Sequence, residues 1–418
     1  MKKNIVNFLN VSVGVKSLTI SNLINAMTGF SFIFILTSKL GLDGFGVFSL
    51  LQGGVLIGCS IFNFKLWEPL ISSFRKGSVA RKFKTSLIFE MSVTFIGWWI
   101  TTLIIATYNS VFLQYEIALF NILVLSSSVI WSSFSSQSAV IRYNSNYRVL
   151  IFANIIAGLM KLIPLFFLDL SIGSVCIIYS FSEFSRYSII MYFSLNKIDI
   201  FRVSFSRRFL NFIFYRSFKL NLSSILDIPV NYLDRYIINH FIGPGFVGVY
   251  IISRRIASVI SIFFNSYYQH IYLSIFKGAE KSLVSTVKYC LSLIIKSNVI
   301  LIVIMVISLP IFQSFNSYYH FIDKELIILL FIVVYCSVFS YIANYLHPIF
   351  LYSQGYDFIV RITLLSNLSY VIILISSIKY YSLYGAAIAL LAQSLIMNTL
   401  KLMQIKVFYD KKNKIVCL

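Results

Sequence analysis

Long apolar runs are the feature of this sequence that most constrains its fold. Twelve runs are each about 20 residues long, the length of helix that crosses a hydrocarbon layer of about 30 Å. Lipid offers no partner for backbone N–H and C=O groups, so each run must form a helix with internal hydrogen bonds. We therefore predict an all-α, polytopic membrane protein with spans at 17–37, 45–64, 85–107, 117–138, 149–168, 172–193, 218–241, 245–268, 289–312, 326–346, 359–379 and 382–404.

Charge content and cysteine usage agree with this class. Charged residues make up 12% of the 418 residues, against about 25% in soluble domains. The five cysteines form no CxxC pair, and most lie inside apolar runs, as is typical of small buried side chains. We therefore predict no disulfide framework, no metal site and no cofactor.

The basic residues are concentrated in alternate loops. Most of the 35 Lys and Arg residues fall in loops on the side of the N-terminus, whereas the loops on the other side hold Lys39, Lys324 and Lys379. This asymmetry predicts that both chain termini are cytoplasmic and that the number of spans is even. It also accounts for the net charge of +21, so no nucleic-acid partner is predicted.

The polar segment 194–217 divides the twelve spans into two sets of six. We therefore predict an N-terminal lobe at 1–193, a cytoplasmic linker at 194–217 and a C-terminal lobe at 218–418. Because each lobe has an even number of spans, the lobes have the same membrane orientation. The expected architecture is two parallel six-helix bundles around a central cavity.

A short internal repeat supports this division. The segment LGLDGFGVFSLL at 40–51 aligns with IGPGFVGVYIIS at 242–253 at an offset of 202 residues, without a gap. Gly41 then aligns with Gly243, and Phe48 aligns with Tyr250. Both segments lie between the first and second spans of a lobe, so the repeat predicts equivalent turns at these glycines.

Three short motifs occur in order along the chain. They are KLGLDGFGVFS at 39–49; NYLDR at 231–235 followed by IGPGFVGVY at 242–250 and RRI at 254–256; and LYGAAIA at 383–389. Together they resemble the polysaccharide flippases of the multidrug/oligosaccharidyl-lipid/polysaccharide export superfamily. The resemblance implies a Wzx-type flippase in a bacterial inner (cytoplasmic) membrane. Such proteins move an undecaprenyl-diphosphate-linked oligosaccharide, an O-antigen or exopolysaccharide repeat unit, from the cytoplasmic to the periplasmic leaflet.

The same resemblance implies a set of partners. These are membrane lipids, a proton or sodium counter-ion, and the polymerase and chain-length regulator of the same polysaccharide pathway. It also implies alternating access between two lobes and no catalytic residues, so the chain is not expected to be an enzyme.

Charged residues inside the apolar spans are the candidate site. Inserting each charged side chain into the bilayer costs roughly 2.5–3.5 kcal/mol on insertion scales. Each is therefore expected to have a structural or functional role. The basic residues outnumber the acidic ones, which predicts a cationic, hydrated cavity suited to a lipid diphosphate. The candidate substrate-binding residues are Lys161, Arg186, Arg235, Arg254, Arg255 and Lys296, and the candidate ion-coupling residues are Glu183, Asp227 and Asp234.

Structural alternatives remain open for several of these residues. Glu183 and Arg186 are three residues apart on one helix and could neutralise each other. Lys161 and Lys296 could extend along their aliphatic stems toward the membrane surface. Both alternatives would remove the residues from a substrate site.

Four further charged residues also have alternative interpretations. Asp234 and Arg235 lie near the outer interface and could reach lipid headgroups. Glu90 lies near the inner end of its span and is expected to be interfacial. Asp227 precedes Pro229, which interrupts a helix, and is either an ion site or the partner of a buried arginine.

Arg254 and Arg255 are expected to have different roles. Adjacent residues point about 100° apart on a helix, so both cannot face one cavity. One should contact the substrate diphosphate. The other should pack between helices against Asp234 or Asp227.

Two other functions compete with the flippase. A multidrug exporter with a cationic substrate needs a carboxylate, whereas the first span offers Asn22 and Asn25. A membrane polymerase or glycosyltransferase usually has a large outer loop, whereas the longest ones here are about 107–116 and 313–325. Those loops contain no evident nucleophile–base pair or metal-ligand set. A non-transporting scaffold would not explain the buried charges.

Overall fold

The computed structural model of the protein describes residues 13–74, 78–113, 117–133, 135–144, 146–196, 198, 200, 202–319, 324–347, 349–350 and 356–416. The regular structure of these residues is helical throughout, which confirms the predicted all-α class. The chain divides into two compact units, Met1–Ile228 and Pro229–Leu418.

The described part of the first unit contains eight helices. They are α1 Val13–Phe62, α2 Trp67–Phe74, α3 Val79–Tyr108, α4 Leu119–Ser133, α5 Ser136–Tyr143, α6 Arg148–Phe167, α7 Ile172–Leu195 and α8 Arg207–Leu226.

The described part of the second unit contains six longer helices and two short irregular turns. The helices are α9 Asp234–Phe241, α10 Pro244–Lys281, α11 Leu283–Tyr319, α12 Lys324–Ala343, α13 Tyr356–Tyr381 and α14 Leu383–Val416. A π-helical turn at Pro229–Leu233 precedes α9, and a 3-10 turn at Asn344–Leu346 follows α12.

The described helices agree with the predicted spans. Eight segments are long and apolar enough to cross a membrane, judged by length and composition. One of them, Ile20–Phe62, has 43 residues and contains both the first and the second predicted span. Ile327–Ala343 is a shorter apolar helix at the tenth predicted span. The sixth and seventh predicted spans also lie on helices, so the polytopic membrane fold is confirmed.

Gly41 and Gly243 both have a positive φ angle. Gly41 has φ 73° and breaks α1 between its two spans, and Gly243 has φ 115° and precedes α10. Residues with a side chain rarely adopt such φ values, whereas glycine does so at little cost. Among the described residues, nothing lies within 4 Å of a Cβ added at either position, so the backbone conformation and not the available space favours glycine. The turns predicted from the internal repeat are therefore present in both units.

The seventh predicted span is divided into three pieces. Helix α8 begins at Arg207, inside the segment predicted as a linker, and ends at Leu226, which Asp227 follows as the cap. The π-helical turn that starts at Pro229 follows, and then α9. Proline has no N–H to donate, so the helix ladder cannot continue regularly through this point. The boundary between the two compact units therefore lies within a predicted span, and the predicted lobe bounds stay a prediction.

Gly385, in the motif at 383–389, lies where α13 and α14 approach each other closely. A Cβ at this position would lie 2.4 Å from the carbonyl carbon of Ser377 and 2.6 Å from the amide nitrogen of Ile378. The Ser377 hydroxyl donates to the Gly385 carbonyl at 2.9 Å. Backbone atoms cannot move aside as a side chain can, so this contact requires glycine.

Candidate functional site

The first unit contains an ion cluster between α6 and α7. The Glu183 carboxylate lies 2.5 Å from a guanidinium nitrogen of Arg186 and 3.6 Å from the ammonium of Lys161. The exposed fraction is 26% for the Arg186 side chain and 13% for that of Lys161, so both are largely shielded. Arg186 and Glu183 are one helical turn apart on α7, which places them on one face. The predicted pairing of these two residues is confirmed, and Lys161 joins it.

Aromatic rings from α1 and α7 surround the ammonium group of Lys161. It lies 5.4 Å from the centre of the Phe32 ring and 4.7 Å from that of Tyr179. Phe48, beyond the Gly41 turn, packs edge-on against both rings. A cation over an aromatic face is stabilised by the ring quadrupole. Lys161 is therefore held inside the unit by a carboxylate and two rings, and does not extend to the membrane surface.

The second unit contains a cluster around Asp234, at the first position of α9. The carboxylate accepts hydrogen bonds from the Arg235 amide at 2.8 Å and the Tyr250 hydroxyl at 2.5 Å. The Tyr370 hydroxyl lies 3.5 Å from the same oxygen that Tyr250 contacts. Asp234 is 1% exposed and Arg235 is also buried. The alternative in which Asp234 and Arg235 reach lipid headgroups is therefore wrong, because both lie inside the unit.

Arg254 is part of this cluster. Its guanidinium donates to the Val230 carbonyl at 3.3 Å and lies 6.0 Å from the centre of the Tyr250 ring. The positive charges of Arg254 and Arg235 act on the Asp234 carboxylate. Of Arg254 and Arg255, Arg254 is therefore the one that packs inside the unit. The sequence predicted that one of the two would do so.

The Val230 carbonyl is available to Arg254 because the π-helical turn begins at Pro229. The same turn places Asn231 so that its side-chain oxygen lies 3.5 Å from the Arg254 guanidinium. Arg255, the next residue along α10, is half-buried. The irregular backbone thus supplies acceptors to one arginine of the pair.

Some residues of the two clusters align in the internal repeat, although the carboxylates Glu183 and Asp234 do not align with each other. At the offset of 202 residues, Phe32 aligns with Asp234, and Phe48 aligns with Tyr250. The same offset aligns Arg254 with Gln52, which lies beside Tyr179. The tyrosines Tyr250 and Tyr370 were not predicted as site residues, although Tyr250 lies within the repeat, where it aligns with Phe48.

Two of the predicted residues lie apart from both clusters. Lys296 is exposed on α11, on a face that it shares with Ile295 and Val299. Asp227 is exposed at the end of α8, next to the irregular turn that was expected there. Their predicted roles in binding and coupling stay predictions.

Glu90 is buried, which contradicts the expectation that it is interfacial. Its carboxylate accepts hydrogen bonds from the backbone amide of Ser135 at 2.9 Å and from its hydroxyl at 2.7 Å. The amide and the hydroxyl of Ser136 also donate to it, at 3.1 Å and 2.5 Å. These donors lie at the beginning of α5, where backbone N–H groups lack helical partners. Glu90 therefore caps a short helix from a neighbouring span.

The described residues contain no group of three or more His, Cys, Asp or Glu side chains that could hold a metal ion. Each of the two clusters places a buried carboxylate beside basic side chains.

Solved structures of membrane transporters share this fold. An inward-facing multidrug resistance MATE family transporter of the MOP superfamily matches with a TM-score of 0.67 at 13% identity, covering 96% of both chains. The lipid II flippase MurJ in an inward closed conformation matches with a TM-score of 0.65 at 12% identity, covering 93% of this chain and 87% of that one. The Vibrio cholerae MATE transporter VcmN in the bent form matches with a TM-score of 0.56 at 13% identity, covering 96% of this chain and 98% of that one.

These matches define the class of the protein by its fold. No family model matches the sequence, and no curated protein matches it. The chain therefore has the fold of the multi-pass membrane exporters and flippases of the MOP superfamily. At identities this low the similarity shows the fold alone, and the substrate must be argued from the residues of this chain.

Proposed function

We propose that the protein is a Wzx-type flippase. Its substrate is an undecaprenyl-diphosphate-linked oligosaccharide, the repeat unit of an O-antigen or exopolysaccharide, which it moves from the cytoplasmic to the periplasmic leaflet by alternating access. The observation that carries this proposal is the charge of the two clusters. Each holds one carboxylate and two cations, Glu183 with Lys161 and Arg186, and Asp234 with Arg235 and Arg254.

An excess of cations fits an anionic substrate. A lipid diphosphate carries close to two negative charges, and its sugars can add more. Guanidinium groups bind phosphate oxygens through two parallel hydrogen bonds, and ammonium groups bind them as point charges. In this proposal Arg255 contacts the diphosphate, Arg254 and Arg235 lie beside Asp234, and Arg186 and Lys161 supply positive charge from the ion cluster around Glu183. Lys296 would be a further contact on the path of the substrate across the membrane.

Asp234 is the best candidate for ion coupling. It is buried and is held by hydroxyl groups, so the carboxylate can exchange a proton or a sodium ion without breaking a direct ion pair. Glu183 is ion-paired within 4 Å to two cations, which favours a structural role for it. Asp227 lies at the irregular turn and is the second candidate for coupling.

A multidrug exporter is the alternative function, because MATE transporters share the fold. An exporter of cationic compounds needs a carboxylate for its substrate. In the first span, the position equivalent to Asp234 is Phe32, and the polar residues Asn22 and Asn25 are neutral and exposed. The charge balance thus favours an anionic substrate over a cationic one.

The proposed location is a bacterial inner membrane with both termini in the cytoplasm. Reporter fusions test this orientation directly. Fusions after Leu113, Asn316 and Tyr381 should report the periplasm, and fusions after Lys76, Arg207 and Lys412 should report the cytoplasm. A cytoplasmic signal at Asn316 would contradict the twelve-span arrangement.

A deletion strain tests the function itself. Lipid-linked repeat units should accumulate on the cytoplasmic face of the inner membrane, and surface polysaccharide should disappear. The polymerase and the chain-length regulator act on repeat units that have already crossed the membrane. The deletion should therefore leave both proteins in place. Normal surface polysaccharide together with increased sensitivity to cationic dyes would favour the multidrug exporter.

A further inference from the structure

Helix α8 has one buried side and one exposed side. The buried side carries Ile213, Ser217 and Asn221, each at most 1% exposed. These positions are four residues apart, as expected for one face of a helix. Eight side chains between Arg207 and Phe218 are exposed, whereas Phe209 and Leu210 are half-buried. A helix held this way presents a fixed set of side chains on its exposed side.

Contacts from the buried side attach α8 firmly to the first unit. Ile213 belongs to an apolar cluster that includes Leu70, Phe74 and Phe83. The Asn221 side chain donates to the Ile61 carbonyl at 2.6 Å. The segment before the helix is also held, because the Ser206 amide donates to the Thr85 hydroxyl at 3.1 Å. The segment predicted as a linker is therefore a docked part of the unit.

The exposed side combines arginines with aromatic rings, and we name it the arginine–aromatic face. Its arginines and aromatic residues are Arg207, Arg208, Phe212, Tyr215, Arg216 and Phe218. The exposed fractions of Phe212, Tyr215 and Phe218 are 42%, 65% and 47%. The Arg216 guanidinium lies 4.7 Å from the centre of the Phe212 ring. Helix α8, from Arg207 to Leu226, contains no Asp or Glu, so these charges have no acidic partner on their own helix.

This combination is suited to a charged lipid headgroup. Aromatic rings with large exposed area favour the headgroup level of a bilayer. Arginine binds phosphate in a fork geometry that lysine cannot reproduce. Arg207 and Arg208 are adjacent, and Arg216 follows about 12 Å further along the helix from Arg208. The Arg207 and Arg208 side chains are both exposed and long, so, unlike a pair on a buried helix, they can turn toward one headgroup at the surface. Two neighbouring forks match two linked phosphates better than the single phosphate of an ordinary phospholipid.

We propose that the arginine–aromatic face is an entry site that captures the diphosphate headgroup of a polyprenyl-linked substrate from the cytoplasmic leaflet before transport. The inference rests on the proposed function, because it assumes such a substrate and a cytoplasmic position for α8. Arg207 and Arg208 bind the two phosphates. Phe212, Tyr215 and Phe218 hold the headgroup region at the level of the interface. Ordinary anionic phospholipids are competitors for this face, not its ligand.

The test is a binding measurement on the full-length protein in nanodiscs of neutral phosphatidylethanolamine. The probe is undecaprenyl diphosphate, and the variants are Arg207→Ala/Arg208→Ala and Arg207→Lys/Arg208→Lys. The Ala pair should weaken binding about tenfold or more, which corresponds to roughly 1.4 kcal/mol. The Lys pair keeps the charge but loses the forks, so its loss should be intermediate. The matched control is Lys288→Ala/Lys406→Ala, which removes two exposed charges elsewhere and should bind like wild type.

Three outcomes would overturn the entry site. Binding by the Ala pair that equals wild type removes these arginines from the site. A loss of similar size in the control pair shows a general charge effect. Displacement of undecaprenyl diphosphate by equimolar phosphatidylglycerol shows that the face is a general anionic-lipid surface.

A transport assay on the same proteins separates the entry site from the flippase itself. If wild type transfers a lipid-linked oligosaccharide between leaflets and the Ala pair does so equally at low substrate, the entry site fails and the flippase stands. If wild type neither binds undecaprenyl diphosphate nor transfers the lipid-linked substrate, the proposed function fails and the entry site fails with it. The supporting result is a raised apparent KM in the Ala pair with little change in the maximal rate.

Discussion

The buried carboxylates Glu183 and Asp234 lie in comparable clusters but are held differently. Glu183 contacts Lys161 and Arg186 directly, at 3.6 Å and 2.5 Å, so its charge is fixed by two cations. Asp234 is contacted by the hydroxyl of Tyr250 and by a backbone amide, while the nearby arginine binds a carbonyl. We therefore propose that the first cluster is a static ion network and that the second changes its charge state. In this proposal the two units share the glycine turn but divide these tasks.

Removing the first carboxylate should have the largest effect. Glu183→Gln leaves Lys161 and Arg186 without their counter-ion inside the unit, which costs roughly 3–5 kcal/mol by analogy with buried pairs in soluble proteins. The membrane level of the protein should therefore fall sharply. Immunoblots and thermal unfolding of the detergent-solubilised protein measure this effect.

The matched change in the second unit is Asp234→Asn. It keeps an acceptor for Tyr250, so protein level should fall less than with Glu183→Gln, whereas gradient-driven transport should be lost. Equal loss of protein in both variants would contradict the division between a static cluster and a switching one. A second control is Glu183→Gln combined with Lys161→Met, which should recover part of the lost protein.

The arginine pair should separate by phenotype. Arg254→Ala removes the donor to the Val230 carbonyl and a positive charge near buried Asp234, so protein level should fall. Arg255→Ala should leave protein level unchanged and reduce transport. Membrane protein level and surface polysaccharide, measured together, distinguish the two effects. The opposite pattern would exchange the roles assigned to these residues.

The hydroxyls around Asp234 should differ in importance. Tyr250 donates at 2.5 Å and Tyr370 lies at 3.5 Å, so Tyr250→Phe should have the larger effect on ion-coupled transport. A hydrogen bond to a charged group is worth about 1.5–3 kcal/mol, and a long one contributes much less. Transport should be measured at several proton and sodium gradients in each variant. An equal effect of both changes would show that the cluster acts through its volume and not through these hydrogen bonds.

The smallest effects are expected at the two glycine turns. Gly41→Ala and Gly243→Ala each place a side chain at positive φ, which costs roughly 1–3 kcal/mol. Because neither position is crowded by described residues, the two costs should be similar. Thermal unfolding of the purified variants measures the comparison. A much larger loss at one turn would show that the repeat is not equivalent in the two units.

Much of the fold could be predicted from the sequence because the bilayer limits the choices. Apolar runs of the right length had to be helices, and the glycines of the repeat marked the turns. The division of the seventh span was only partly predictable. Pro229 indicated an irregularity, and Ser206 is a helix N-cap that the sequence also offered, since its side chain accepts from the Phe209 amide. The packing of α8 against distant residues such as Phe83 could not be read from sequence alone.

The charged residues of the candidate site were predicted from the sequence, but its neutral residues were not. Charged residues are rare inside spans, so Glu183 and Arg254 were conspicuous. Tyr250 was not, because the chain has 27 tyrosines and most need no special explanation. Glu90 was placed wrongly because its partners, Ser135 and Ser136, lie more than 40 residues away along the chain.

Leaflet transfer in proteoliposomes tests the central claim most directly. Undecaprenyl-diphosphate-linked oligosaccharide with a labelled sugar is incorporated, and an impermeant sugar-modifying reagent reports the outer leaflet. The account predicts transfer by wild type that rises with an imposed proton or sodium gradient, and no gradient-dependent transfer by Asp234→Asn. Wild-type protein that transfers no labelled substrate, but exports a cationic dye under the same gradient, would contradict it.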